Sequence, residues 1–115
     1  MLTSSRIRTE SAFPTAQAYA NTFCDYTGNT AAAGAPVWGV YQTDSDTNYG
    51  APVTTAGIEV VLIASGQTVT VGGQVEVAAG GYATPHVVGT STGTPAGRVL
   101  ATDGTFCQVQ LATGN

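Results

Sequence analysis

The sequence predicts an all-β fold, a small single-domain β-barrel or sandwich with an extended N-terminal arm. Three observations lead to this prediction. Short β-branched or aromatic runs, separated by Gly, Pro, Asn and Asp, fill the chain from Pro36 to Leu111. No window of that region carries the 3.6-residue apolar period of a three-turn helix. A chain of 115 residues is long enough for one hydrophobic core and too short for two.

The first 30 residues lack any sustained apolar period. Small polar residues alternate there with alanine and with single aromatic residues such as Phe13 and Tyr19. Such a segment buries too little apolar surface to offset the entropy of ordering it. We therefore predict an extended arm over residues 1–30 and a β-barrel domain over residues 31–115. A short helical turn over residues 11–20 is the alternative for the middle of the arm.

The body is expected to consist of short strands, each a β-branched or aromatic run that ends at a turn. In chain order these runs are 37–41, 52–55, 58–63, 68–71, 74–77, 82–85, 98–101 and 105–111. The run 58–63 is apolar at nearly every position, which is typical of a strand covered on both faces. In the run 74–77, valine alternates with polar residues, the period-two pattern of a half-buried strand. Asp103-Gly104 indicates a tight hairpin of type I′ before the last strand.

The order of these runs resembles that of the bacteriophage capsid cement, or head decoration, proteins. The resemblance covers residues 35–111 and is specific through the order in which Gly- and Val-rich segments occur. These segments are Ala35-Pro36-Val37-Trp38-Gly39-Val40, Gly50-Ala51-Pro52-Val53, Ile58 to Ile63, Thr68-Val69-Thr70-Val71-Gly72-Gly73, Val75-Glu76-Val77, Gly81-Tyr82-Ala83-Thr84-Pro85, Ala96-Gly97-Arg98-Val99-Leu100-Ala101 and Val109-Gln110-Leu111.

The resemblance implies a β-barrel of the "tulip" type on the outer capsid surface of a virion. Such domains usually form homotrimers at three-fold and quasi-three-fold positions of an icosahedral head. The implied partner is the major capsid protein, and the implied role of the arm is to clamp neighbouring capsid subunits against internal DNA pressure. Within the arm, the predicted capsid contacts are Arg6, Arg8, Phe13 and Tyr19. An open arm can add a strand to a neighbour's sheet edge.

The charge composition argues against a nucleic-acid partner. Lysine is absent, and the only cations are Arg6, Arg8 and Arg98 in a chain of net charge −4. Binding to phosphates requires clustered cations that release counterions. We also predict no membrane partner, because no apolar run approaches the roughly eighteen residues of a membrane span. The residues between Arg8 and Ala18 are too polar for the apolar region of a signal peptide.

No set of side chains predicts catalysis, a cofactor or a metal, so we expect a protein that is not an enzyme. His86 is the only imidazole and lacks the sequence context of a hydrolytic triad. Glu59 and Glu76 are not expected to act as a glycosidase pair, because the chain is too small to enclose a sugar cleft. We interpret both as ordinary outward strand positions. The segment 44–50 has alternate oxygen ligands like a calcium loop, but its glycine is one place late and its twelfth position is Thr55. We interpret it as an exposed loop.

Two features leave alternatives open. An aromatic platform for carbohydrate would make the protein a binding module, such as a glycan-recognising appendage or adhesin domain. The residues of that platform are Trp38, Tyr41, Tyr49 and Tyr82. The two cysteines, Cys24 and Cys107, match no metal motif. Two reduced, packed thiols are preferred there over a disulfide.

Overall fold

The computed structural model describes residues 2–46 and 49–112, and these contain strands, turns and loops but no helix. The strands are β1 (Ser5–Ala12), β2 (Phe23–Cys24), β3 (Gly39–Tyr41), β4 (Ala51–Leu62), β5 (Gln74–Ala78), β6 (Tyr82–Pro85), β7 (Gly97–Thr102) and β8 (Phe106–Leu111). The prediction of an all-β, single-domain fold is confirmed. Accordingly, no helix in the described ranges has the length and apolar character that crossing a membrane demands.

Five of the strands form a nearly closed barrel. Hydrogen bonds connect them in the order β4, β8, β7, β5 and β6, and each neighbouring pair is antiparallel. The sheet returns to its start because Ile63, directly after β4, forms a parallel bridge with Ala83 of β6. Next to that bridge, the amide of Ala64 donates to the Ala83 carbonyl at 2.8 Å. Closure of this kind removes free strand edges from the barrel.

The barrel encloses a core dominated by valine. In β5, Val75 and Val77 are buried while the other residues of the strand are half-buried, which confirms the period-two pattern. Val99 of β7 and Val109 of β8 lie in the same core. Phe23, from the first quarter of the chain, is also fully enclosed by it. The barrel core therefore draws on residues outside the barrel strands.

A second part of the molecule, here called the N-terminal layer, surrounds the first half of β4. It consists of β1, β2, β3 and the segments that connect them. β1 and β3 pair with β4, and β2 pairs with β3, all antiparallel. A separate small core lies in this layer and consists of Ala12, Ala18, Cys24, Tyr41, Ala51 and Val53, with Trp38 partly buried against it.

β4 is a single twelve-residue strand that joins the layer to the barrel. The sequence predicts two strands there, over 52–55 and 58–63. The structure connects them through Gly57, whose φ is +109°. A Cβ at this position would collide with the carbonyl oxygen of Ser5, so glycine is what allows β1 to pass so close. β1 pairs with β4 as far as Ile58, and β8 pairs with it from Ile58 onward.

The segment predicted as an arm, residues 1–30, is not one unit in its described part. β1 is an exposed strand attached to β4, but Ala12 and Ala18 are buried in the layer core. Phe23 and Cys24 are fully buried as well. The apolar residues of this segment are too irregularly spaced to show a period, yet these four are each buried in one of the two cores. The boundary predicted at residue 30 therefore falls inside the packed structure.

The predicted strand over 68–71 is an irregular segment. Only Val69 is buried in it, and Val71 is exposed. Its hydrogen bonding is that of a turn, because the Gly73 amide donates to the Thr70 carbonyl at 3.0 Å. The buried side chain of Val69 therefore anchors this segment to the core, although the segment forms no strand.

The hairpin predicted at Asp103-Gly104 is present between β7 and β8, but its turn is not type I′. Gly104 has a φ of +91°, whereas Asp103 is not among the residues with positive φ. Instead, the Asp103 carboxylate accepts hydrogen bonds from the amides of Thr105 and Phe106, at 2.9 and 2.8 Å. These bonds lower the pKa of Asp103. The aspartate closes the turn through its side chain.

Candidate functional site

Strand β1 presents an exposed surface on the outside of the molecule. Of its eight residues only Ala12 is buried, and Ile7 is 80% exposed. The register with β4 shifts on both sides of Arg8, and Ile7 has no partner on β4. Along residues 2–46 and 49–112, no strand pairs with the outer edge of β1. Such an edge can accept a further strand from another chain.

A polar network beneath β1 fixes its position. The Glu59 carboxylate of β4 is 1% exposed and accepts hydrogen bonds from Arg6 Nε at 2.7 Å and from the Thr54 hydroxyl at 2.8 Å. The side-chain amide of Gln42 donates to the hydroxyls of Thr54 and Thr9, at 2.9 and 3.0 Å. The network thus reaches β1 at two points, Arg6 and Thr9.

Glu59 does not occupy the outward position that the sequence predicts. β1 covers it, and burial of a carboxylate is tolerated only where a charge or several hydrogen bonds compensate it. Arg6 supplies a positive charge and two hydrogen bonds, since a second N–H of its guanidinium lies 3.4 Å from Glu59 Oε1. The Arg6 side chain is 41% exposed. This predicted capsid contact therefore holds β1 on the body of the protein.

The other three predicted contacts are exposed. Arg8 lies on β1 and forms an ion pair with Glu10 at the surface. Phe13 follows β1 directly, and Tyr19 lies in the loop after it. Their exposure leaves them accessible to a partner. Contact of these residues with a capsid stays a prediction.

The segment that carries Phe13 and Tyr19 is fixed by the loop between β3 and β4. Ala18 and Ser45 exchange two backbone hydrogen bonds of 2.9 Å. The Asp44 carboxylate accepts from the amide of Ala20 at 2.8 Å. The calcium-like pattern of this loop includes Thr47 and Asn48, which lie outside the described residues. In the described part, the Asp44 side chain accepts from the backbone of the segment 12–20 and not, as predicted, from the backbone of its own loop.

The turn after β2 fixes the same segment from the other side. The Asn29 side-chain oxygen accepts from the Thr15 amide at 2.7 Å. Asp25 closes the turn, because its carboxylate accepts from the amides of Thr27 and Asn29 at 2.9 and 3.2 Å. The segment 12–20 therefore lies between two loops and is bonded to both.

The aromatic residues predicted to form a carbohydrate platform are not assembled into one. Tyr41 is fully buried, and its hydroxyl donates to the Gly28 carbonyl at 2.6 Å. Burial raises the pKa of Tyr41. Trp38 packs partly buried against the layer core, whereas Tyr82 lies on β6. Tyr49 alone combines high exposure with a position in a loop. This arrangement does not favour the glycan-binding alternative.

The other residues considered for catalysis or metal binding contact other protein groups. His86 Nδ1 lies 2.8 Å from Glu76 Oε1, and both side chains are largely buried. Glu76 and Glu59 lie on β5 and β4, which are not neighbours in the sheet. Across the described ranges, no three His, Cys, Asp or Glu side chains come together as a metal site.

The two cysteines are free thiols in different cores. Burial raises the pKa of Cys24 to about 11, and it does the same for Cys107. Both thiols are therefore protonated near neutral pH, and a protonated thiol is a poor nucleophile.

Two features of this region were missed by the sequence reasoning. One is the Arg6–Glu59 network, whose only signal is a glutamate inside a run of otherwise apolar residues. The other is a groove of about 330 Å³ where β1, β4 and β8 meet, whose lining includes Ile7, Ile58 and Leu111. No sequence pattern indicates the groove, because its three lining strands are distant along the chain.

A comparison with solved structures gives an informative likeness. Neither a family model nor a curated protein matches the chain. The crystal structure of the N base of head fiber gp8.5 in bacteriophage phi29 is similar, with a TM-score of 0.71 and 16% sequence identity. The likeness covers 91% of this chain and 93% of that chain. It shows a shared fold, and at this coverage the shared fold includes most of the N-terminal layer.

Proposed function

We propose that this protein is a structural component of a bacteriophage head, a decoration (cement) protein on the outer capsid surface of the virion. The observation that carries the proposal is the fold shared with the N base of a phage head fiber over 91% of the chain. The resemblance of residues 35–111 to head decoration proteins supports the same assignment. The proposed partner is the major capsid protein, and the proposed assembly is a homotrimer.

Strand β1 is the proposed point of attachment. Its outer edge offers main-chain donors and acceptors, each worth about 1 kcal/mol when paired with a capsid strand. The charges of Arg8 and Glu10 would restrict which strand can pair there. Because the network at Glu59 already fixes the position of β1, little ordering entropy is lost on binding. By contacting adjacent capsid subunits, a bound trimer would stabilise the shell against internal DNA pressure.

The proposed role involves no catalytic step and no cofactor. His86 is engaged with Glu76, and both thiols are buried. It also involves neither nucleic acid nor a membrane. A nucleic-acid partner is disfavoured because the chain has no lysine and only three arginines, of which Arg6 and Arg8 are each paired with a glutamate.

Binding to phage heads tests this proposal. Purified protein is added to heads that lack it, and the amount that sediments with the heads is measured against concentration. We expect saturable binding at a fixed ratio to the major capsid protein. Arg8→Glu should weaken binding about tenfold, or about 1.4 kcal/mol. The matched control is Arg98→Glu, which changes the net charge equally on β7.

Two results would contradict the proposal. Absence of saturable binding would remove the structural role at the head. Equal binding by Arg8→Glu and Arg98→Glu would move the contact away from β1, with attachment then assigned to the loops. Sedimentation equilibrium of the protein, free and recovered from heads, tests the trimer separately.

A further inference from the structure

Four exposed aromatic side chains lie on the three segments that meet beside Phe13, a region here called the aromatic end. It comprises residues 12–20, the turn 25–29 and the described part of the loop 43–50. The exposed fractions are 64% for Phe13, 53% for Tyr19, 56% for Tyr26 and 70% for Tyr49. Large aromatic surface left in water costs free energy, and exposed aromatic groups of this kind are typical of binding surfaces.

The charge of the same three segments is entirely negative. They carry Asp25, Asp44 and Asp46, whereas none of the three arginines of the chain lies in them. Asp44 is held by the Ala20 amide, and Asp25 by the amides of its own turn. These two carboxylates therefore keep fixed positions. An anionic or purely apolar partner would leave this charge uncompensated, while a cationic partner would pair with it.

The aromatic end is also held in place before any partner binds. A Cβ at Gly50 would lie 3.3 Å from the Phe13 ring, so the ring rests against the backbone of the loop. Ala18 pairs with Ser45 on this side, and Thr15 bonds to Asn29 on the other. A surface that is ordered in advance loses less entropy when it binds.

We infer that the aromatic end docks onto a cationic protein surface, with arginine guanidinium groups stacked on its tyrosine rings and paired with its aspartates. Arginine suits this surface better than lysine, because its planar guanidinium stacks on aromatic faces and hydrogen-bonds carboxylates at the same time. The inference rests on the proposed function, in which the partner is a capsid protein, and adds the chemistry of the contact.

A peptide titration tests this chemistry without phage heads. The full chain, labelled with ¹⁵N, is titrated with an acetylated (Gly-Arg)₄ peptide at low salt, and amide shifts are followed by NMR. We expect shifts confined to the aromatic end, with binding that weakens as salt is added. A (Gly-Lys)₄ peptide should bind more weakly, and a (Gly-Glu)₄ peptide should leave the spectrum unchanged.

Matched variants locate the contact. Asp44→Asn keeps the oxygen that accepts from Ala20, and Asp103→Asn likewise keeps its acceptor in the hairpin. We expect the first to weaken peptide binding about two- to fivefold and the second to leave it unchanged. Tyr19→Ala should weaken binding about two- to fivefold as well. Val88→Ala, another exposed apolar site, is its control. Near-UV circular dichroism checks that each variant is folded.

The outcomes separate this inference from the proposed function. Shifts outside the aromatic end, or equal effects of Asp44→Asn and Asp103→Asn, would overturn the inference while leaving head binding to be judged on its own. Shifts at the aromatic end that depend on protein concentration without peptide would assign the surface to a second copy of the chain and also overturn it. Peptide binding as expected, together with no binding to heads, would retain the surface chemistry and remove the head-associated role.

Discussion

The barrel and the N-terminal layer are stabilised by different interactions. In the barrel, buried apolar side chains such as Val75 and Val99 fill the interior, each contributing about 1.5–3 kcal/mol by leaving water. The layer has only a small core, and its strand β1 is bonded to a buried carboxylate of the barrel half of β4, Glu59, whose partners are Arg6 and Thr54. The free energy of apolar burial does not depend on how the buried groups are oriented. Hydrogen bonds and ion pairs, in contrast, require particular partners at particular positions.

This difference indicates what each region contributes. An exposed strand such as β1, with one buried residue, cannot be retained by apolar burial. Main-chain pairing with β4, the ion pair of Arg6 with Glu59 and the hydroxyl of Thr9 therefore set where β1 lies. A well-defined position matters most for a strand whose outer edge is proposed to pair with another protein. The barrel supplies most of the apolar burial, and the network helps to fix the edge that is proposed to bind.

The largest effect is expected at Phe23, where the chain of the layer inserts a side chain into the barrel core. Phe23→Ala should lower the free energy of unfolding by about 3–5 kcal/mol, because it leaves a cavity. Urea denaturation monitored by Trp38 fluorescence measures it. Phe13→Ala is the matched control and should cost less than about 0.5 kcal/mol, because its ring is exposed. Similar losses for both would mean that the first 30 residues are separable from the barrel after all.

An intermediate effect is expected from Arg6→Ala, which leaves the Glu59 carboxylate buried without its charge partner. Loss of one partner of a fully buried pair costs about 3–5 kcal/mol. Because water reaches the Arg6 side chain, we expect about 1–2 kcal/mol here, with faster amide exchange along β1. Arg8→Ala should cost less than about 0.5 kcal/mol, since its pair with Glu10 is at the surface.

A second substitution sharpens this test. Glu59→Gln in the Arg6→Ala background removes the uncompensated charge while keeping an acceptor for Thr54, so part of the lost stability should return. If Arg6→Ala behaves like Arg8→Ala, the network does not hold β1, and the contrast between the two regions fails at that point.

The sequence predicted the barrel better than the layer, for a physical reason. In β5, β7 and β8, alternating burial leaves a period that is visible in the residues themselves. β1 has no such period, because its position depends on main-chain pairing and on one ion pair with a residue 53 positions away. The extended character of the segment was predictable, but its attachment to β4 was not.

The candidate contacts show the same division. The exposure of Arg8, Phe13 and Tyr19 agrees with their place in a segment that has no sustained apolar period. The inward role of Arg6 does not, because it requires knowing that β1 covers Glu59. The aromatic end likewise depends on contacts between loops, such as Ala18 with Ser45, that no local pattern specifies.

The smallest expected effect is a difference in the rates at which the two cysteines react with a disulfide reagent, which report how readily each region opens. Cys24 lies in the layer core and Cys107 in the barrel core, and burial holds the pKa of each thiol at about 11. A disulfide reagent attacks the thiolate, which forms readily only when a region opens and the pKa returns toward its ordinary range. We expect Cys24 to react about fivefold faster, since the layer has the smaller apolar core and an opening free energy about 1 kcal/mol lower.

Two single-cysteine variants measure this difference. Cys107→Ala retains the layer thiol and Cys24→Ala retains the barrel thiol, so each reports one region in an otherwise similar chain. Labelling of both should accelerate between about pH 7 and pH 9, because the opened thiol loses its proton near its ordinary pKa. A Cys24 rate that exceeds the Cys107 rate and rises further in Arg6→Ala would tie the opening of the layer to the network beneath β1. Equal rates would instead mean that layer and barrel open as one cooperative unit, so that the different interactions within them do not translate into different local stability.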